Sequence, residues 1–207
     1  VTDTPPPYRP PVITGARIRL RPYRPDDLAA FFALHSDPEA MRYWSHPPWT
    51  RIEQAHSKFD SSLNGNAPDS QLCWAIAALD DGRMIGGVTL FRISAEQGVA
   101  EFGYMLERGS WGRGFAREAG VLALDHAFGD LGLRRIEADI DPRNLASCRL
   151  AERLGFVREG LLRERWQVAG EISDTAFYGL LASDWTQRDA DTPTPEKTLL
   201  RQTVGDS

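Results

Sequence analysis

The stretch GSWGRGFAREAG, residues 109–120, places Gly109, Gly112, Gly114 and Gly120 close together and runs directly into a helix-forming segment. It follows the strand-like run VAEFGYML (99–106), so the chain has to turn sharply from a strand into a helix through a loop with few side chains. A helix N-terminus carries unpaired backbone N–H groups and the positive end of the helix dipole, and it seats an anion such as phosphate when no side chain blocks the approach. Gly112 and Gly114 clear that approach, but glycines there would equally relieve the turn itself, and the loop taken alone leaves both roles open. A Walker loop requires GxxxxGK[ST], and no Lys followed by Ser or Thr occurs here. A dinucleotide loop requires GxGxxG, but Arg117 stands where the third glycine belongs, and the segment lies late in the chain.

The surrounding patterns describe one α/β core. ARIRLRPY (16–23) alternates as a half-buried strand does, and RPDDLAAFFALHSD follows as a helix with Asp26 or Asp27 placed to cap it. A second helix is expected over 50–65, capped by Thr50 with Glu53 at the capping-box spacing and stopped near Gly65. Strands are expected at 71–79, 84–93 and 99–106, then a helix over 114–128 with a stripe of Ala116, Ala119, Ala123 and Ala127 that suits close packing on a sheet. LRRIEADID, NLASCRLAERL, FVREGLLRERWQV and ISDTAFYGLLA complete the core as strand, helix and a closing strand pair. The 207 residues, 42% hydrophobic and 26% charged, suit one such domain. We divide them into a proline-rich extended arm (1–15), the core (16–185) and a polar tail (186–207), whose apolar Thr198–Leu200 cluster could dock on a second subunit of a homodimer.

A net charge of −5 offers no general footprint for nucleic acid or an anionic membrane. Cys73 and Cys148 lack ligand or CxxC spacing and read as reduced packing residues, and His35, His56 and His126 show no ligand spacing, so no metal is expected. The N-terminal arm has no apolar signal core and no apolar run reaches membrane-span length, so a cytoplasmic protein is expected.

A second pattern begins after the loop helix: IEADIDPRNLASCRLAERLGFVREG (136–160) joins a strand to a helix through Pro142 and Asn144 and ends in Gly155-Phe156. Together with RIRLRPYRPDDLAAFFALHSDPEAMRYW (17–44), AEFGYML (100–106), WGRGFAREA (111–119) and ISDTAFYGLL (172–181), it resembles the GNAT superfamily of acyl-CoA-dependent N-acyltransferases. Within that superfamily the likeness is to the branch of ribosomal-protein N-terminal acetyltransferases, and it spans roughly 16–185.

The resemblance implies a GNAT fold, a mixed, twisted, mostly antiparallel sheet flanked by helices, with acetyl-CoA bound where the strands Glu101–Leu106 and Arg135–Asp141 splay. It implies that backbone groups of about Phe102 to Met105, Tyr104 included, pair with the pantetheine amides. Trp111, Gly112, Arg113, Gly114, Phe115 and Ala116 would form the pyrophosphate cradle. Arg113 and Arg117 would offer side chains to phosphate, although Arg117 reads equally as a solvated first-turn arginine. Asn144 and Ser147 would lie beside the pantetheine and the sulfur, with Ser147 hydrogen-bonding the departing thiolate; Asn144 is equally a good helix N-cap.

Two family features are missing. Trp166 occupies the position of a glutamate base used by some relatives, and Ala151 that of a tyrosine acid used by others. Asp139 and Glu101 are the remaining candidate bases, unless Glu101 is paired with an arginine or Asp139 faces away from the gap. Asp174 could orient the acceptor, and Trp44 and Trp166 could wall its cleft. The resulting reading is an N-acetyltransferase that moves the acetyl group of acetyl-CoA to a primary amine, a protein N-terminus or a small molecule, by direct attack in a ternary complex. An α-amino group with pKa near 8 is about one-tenth neutral at pH 7, whereas a lysine is neutral in fewer than about one molecule in a thousand, so the acceptor decides how much a base is needed. An acyl-CoA-binding sensor without catalysis, or a nicotinamide enzyme using the glycine loop, are the rival readings.

Overall fold

Strand alternation sorts this chain's apolar residues onto two faces of one sheet. The computed structural model describes residues 8–185; residues 1–7 of the arm, and the polar tail with its Thr198–Leu200 cluster, lie outside the described residues. The strands are β1 (Ile13–Thr14), β2 (Ile18–Arg21), β3 (Leu72–Ala78), β4 (Met84–Ser94), β5 (Val99–Leu106), β6 (Arg135–Ile140), β7 (Val157–Val168) and β8 (Glu171–Leu181). They lie in the order β1-β2-β3-β4-β5-β6-β8-β7, and every described pair is antiparallel except β5 with β6.

All of β3 is buried because both of its faces are covered. Trp74 and Ile76 enter one core with Ala119, Ala123 and Leu124 of helix α3 (Phe115–Asp125), and that core extends to Leu150 and Leu154 at helix α4 (Leu145–Arg153). Cys73 and Ala75, one residue out of phase, enter a second core with Phe31 of helix α1 (Leu28–Ser36) and Phe59 of helix α2 (His56–Asn64). The alanine stripe performs as expected along α3: Ala119, Ala123 and Ala127 are fully buried, and Ala116 is half-buried. The α-helix ends earlier than expected, at Asp125, and continues as a π-helical turn over His126–Asp130.

Three local expectations are corrected. The sheet starts inside the expected arm, since Ile13 and Thr14 pair with Leu20 and Arg19, and the Trp74 indole donates to the Pro11 carbonyl at 2.8 Å. Asp27 stands at the N-cap position of α1, but its side chain makes no capping bond to that helix. It sits at the end of a 3₁₀ turn over Pro25–Asp27, and its carboxylate accepts from the Arg24 N–H at 2.8 Å and from both ends of the Arg21 guanidinium at 2.7 and 2.8 Å. At the start of α2 a 3₁₀ turn over Ile52–Ala55 brings Gln54, rather than Glu53, back onto the N–H groups of Thr50 and Arg51 at 2.8 and 2.9 Å.

Arg21 and Asp27 are both 5% exposed, so removing one partner strands a buried charge. Asp27→Ala is expected to cost about 3–5 kcal/mol in chemical denaturation, and the double variant Arg21→Met/Asp27→Leu to cost less than the single one. A single-variant loss below about 1 kcal/mol would mean that the pair does not hold the β2–α1 corner together.

Candidate active site

The site begins where β5 and β6 stop pairing. Val99, Ala100 and Glu101 pair with Arg135, Ile136 and Glu137, and the pairing goes no further. β5 continues against β4 to Leu106, and β6 continues against β8 to Ile140, so the two strands diverge into a wedge. The wedge opens into a cleft of about 690 Å³ lined by Phe102, Gly103, Tyr104 and Met105 of β5, by Asp139 and Ile140 of β6, and by Asn144 and Ser147. The edge of β5 from Phe102 onward therefore faces the cleft without a partner strand, as the resemblance implied.

The glycine loop carries β5 into α3. Gly112 and Gly114 have φ of +70° and +82°, in the left-handed region that strains other residues, and Gly114 is the N-cap of α3 with no side chain capping it. A Cβ on Gly112 would enter open space, whereas one on Gly114 would come 3.2 Å from the Arg17 guanidinium, which stands beside the first N–H groups of α3. The Trp111 indole donates to the Leu106 carbonyl at 2.8 Å and fastens the loop to the end of β5, leaving its ring partly exposed. The Phe115 ring is buried in the core, so only its backbone is available to the loop. Arg113 lies 4.8 Å from the Phe115 ring centroid, and Arg117 is exposed.

The sequence reading missed Arg17. It donates to the Arg113 carbonyl at 2.8 Å, pairs with Glu118 at 3.0 Å and lies 4.9 Å from the Phe115 centroid, so it props the loop from β2's approach and adds a second guanidinium beside it. No sequence signal links residues so far apart.

At the wedge, Asn144 caps α4 by accepting from the Ser147 N–H at 3.1 Å. The Ser147 hydroxyl lies 3.0 Å from the Tyr104 phenol oxygen. Burial raises the Tyr104 pKa against the opposing bond to Ser147, so the phenol keeps its proton at neutral pH. Tyr104 was expected to contribute only backbone; its side chain enters because β5 and α4 face each other across the wedge.

Glu101 and Asp139 both line the cleft, and both are engaged. Glu101 pairs with Arg92 at 2.7 Å, and burial, opposed by Arg92, raises its pKa. Its other oxygen makes no hydrogen bond among the described residues. Asp139 accepts from the Thr175 hydroxyl at 2.7 Å and the Trp166 indole at 3.2 Å, with Arg165 3.8 Å away. Trp166 thus lines the cleft as a clamp on Asp139. Asp174 accepts from the Glu164 N–H at 2.8 Å, where the β7–β8 register shifts, and supports that bulge.

The far wall is aromatic. Trp44, His35 and His46 line it, with Trp49 stacked against His35 and His46 at centroid distances of 4.4 and 5.1 Å. His35 is buried, and desolvation, aided by Lys58 and His46, lowers its pKa to about 3, so the ring is neutral at pH 7. Among the described residues no group of three or more His, Cys, Asp or Glu side chains could hold a metal, and no helix is long and apolar enough to cross a membrane.

With this geometry in view, the comparisons are informative. An acetyltransferase (GNAT) domain matches residues 17–157. The chain is 35% identical over 173 residues to the uncharacterized N-acetyltransferase p20 of Bacillus licheniformis, covering 82% of this chain and 95% of that protein. It is 26% identical to the spermidine N(1)-acetyltransferase of Escherichia coli K12, over 90% of this chain and 96% of the other. The crystal structure of spermidine N-acetyltransferase from Vibrio cholerae in complex with CoA and spermine superposes with a TM-score of 0.74 at 26% identity, over 83% of this chain and 99% of that one. The chain therefore belongs to the acetyltransferase (GNAT) domain family and is an N-acetyltransferase.

Proposed function

We propose that the protein transfers the acetyl group of acetyl-CoA to a primary amine by direct attack in a ternary complex, with residues 16–185 forming the catalytic domain. The observation that carries this reading is the wedge between β5 and β6, with an open, glycine-capped helix N-terminus beyond one end of β5 and the Tyr104–Ser147 pair inside. Similarity to spermidine N(1)-acetyltransferase of Escherichia coli and to spermidine N-acetyltransferase of Vibrio cholerae supports a small amine over a protein N-terminus as the acceptor.

The residues fit the donor. The N–H groups following Gly112 and Gly114 would take the pyrophosphate, helped by the Arg113 and Arg17 guanidinium groups, and the unpaired edge from Phe102 to Met105 would hold the pantetheine as an added strand. Acetyl-CoA, when bound, supplies an activated thioester and a thiol leaving group. The Tyr104 phenol, held protonated, donates to Ser147 Oγ; the Ser147 proton is then free to point at the sulfur and stabilise it as negative charge develops. Glu101 retains an unengaged oxygen and a raised pKa, and it acts as the base that takes the ammonium proton of the acceptor, directly or through water. Asp139, held by Thr175 and Trp166, shapes the wall and adds negative field beside Glu101.

Gly114→Glu is expected to weaken acetyl-CoA binding at least tenfold in calorimetry, because it puts a charge and a strained φ at the phosphate seat; unchanged affinity would remove the loop from the binding site. Ser147→Ala is expected to lower kcat about tenfold with acetyl-CoA affinity within about twofold, and adding Tyr104→Phe to cost little more, since the two act as a unit. Fully multiplicative losses would show that Tyr104 does not act through Ser147. Glu101→Gln is expected to lower turnover about 100-fold at pH 7, and by less with acceptor amines of lower pKa. A loss independent of amine pKa would assign Glu101 a structural role, and acetyl-CoA binding without amine-dependent thiol release from any amine would favour a sensor.

A further inference from the structure

The cleft is lined by four carboxylates and four cationic side chains, and their pairing is uneven. Glu101 is matched by Arg92, Asp139 is held by Thr175, Trp166 and Arg165, and Asp141 and Glu171 both engage Arg143. Arg42 has Glu39 beside it at 3.9 Å and lies over Tyr43. Lys58, on α2, is the exception: it has no carboxylate partner among the described residues, and its ammonium lies 5.3 Å from the Trp44 ring centroid. It is also the only lysine among the described residues, in a chain whose other cations are almost all arginine.

Lys58 remains open to solvent, yet the surrounding walls desolvate its ammonium enough to lower its pKa. Desolvation, aided by Lys58, keeps the His35 imidazole neutral, so Lys58 supplies the positive charge at this end of the cleft. A polyammonium acceptor placed here would meet an unneutralised ammonium, and each carboxylate in the lining already has at least one donor, with the second Glu101 oxygen unengaged among the described residues. An acceptor carrying an anion would neutralise Lys58 and lay its apolar body on the partly exposed Trp44 and His46 rings.

We propose, resting on the transferase reading above, that the acceptor is a small amine that carries a carboxylate remote from the amine, and that Lys58 binds that carboxylate against the aromatic wall of Trp44 and His46. Lys58 is thus the specificity-determining residue that separates this cleft from one built for polyamines.

The test measures thiol release from acetyl-CoA by the full chain with three probes: glycyl-phenylalanine, its C-terminal amide, and spermidine. The acid is expected to exceed the amide in kcat/KM by at least about tenfold, carried mainly by KM, with spermidine below both. Lys58→Met is expected to bring the acid-to-amide ratio to within about twofold of unity, and Lys58→Arg to preserve the preference. Acetylation of spermidine in preference to the acid, or a ratio untouched by Lys58→Met, would overturn the inference while leaving the transferase reading intact. Thiol release with none of these or other amines would overturn both.

Discussion

The end of the β5–β6 pairing at Glu101 and Glu137 is the constraint from which the site follows. This is the single parallel contact in the described sheet, with α3 bridging between its strands, so β5 and β6 run in the same direction and separate in the same direction. Beyond the last pair the β5 edge faces the cleft with unmatched backbone groups, and an unpaired strand edge is a template for whatever can complete its hydrogen bonds. An open edge of that kind is ordinarily a liability. Here it lies in a cleft whose other boundary is α4, so an extended ligand can reach it and a second sheet cannot.

Helix positions complete the arrangement. α3 must lie flat on the sheet for its N-terminus to stand at the end of β5, and the small residues allow it: Ala119, Ala123 and Ala127 are fully buried, and a Cβ on Gly120 would come within 2.8 Å of the Leu154 side chain. That contact couples α3 to α4, and hence the loop end of the cleft to the Asn144-capped helix that carries Ser147. The buried Arg21–Asp27 pair fixes the corner that carries α1 and its aromatic wall on the opposite side. Packing on one face of the sheet thus places the donor end, and packing on the other places the acceptor end.

Charge in the cleft is arranged by pairing rather than by net sign. A net charge of −5 would suggest an acidic pocket hospitable to polyamines, but the cleft carboxylates are matched by arginines, an indole and a hydroxyl, and Lys58 has no carboxylate beside it among the described residues. Glu101 illustrates the effect. The sequence reading left it between a base and an arginine-paired strand carboxylate, and the structure shows the pairing with one oxygen still unengaged.

Much of the fold was legible because it rests on local periodicity and turn chemistry. The strands from β3 to β8, the alanine face of α3, the turn through Gly112 and Gly114 and the Asn144 cap all depend on residues within a few positions of each other. Even at short range, caps were misread where a 3₁₀ turn replaced the first α-turn and changed which side chain reaches back, as at Asp27 and Gln54. What the sequence by itself determined was the order of elements, the uncapped glycine entrance to α3 and a serine in the first turn of α4. Only the tertiary structure decided that Tyr104 meets Ser147 43 positions away, that Arg17 props a loop 96 positions away, that Trp166 clamps Asp139, and that Lys58 has no carboxylate partner among the described residues. The reason is physical: backbone propensity and capping act over one or two turns of chain, whereas side-chain pairing is chosen by the packing of elements that are distant in sequence and adjacent only once the sheet has formed.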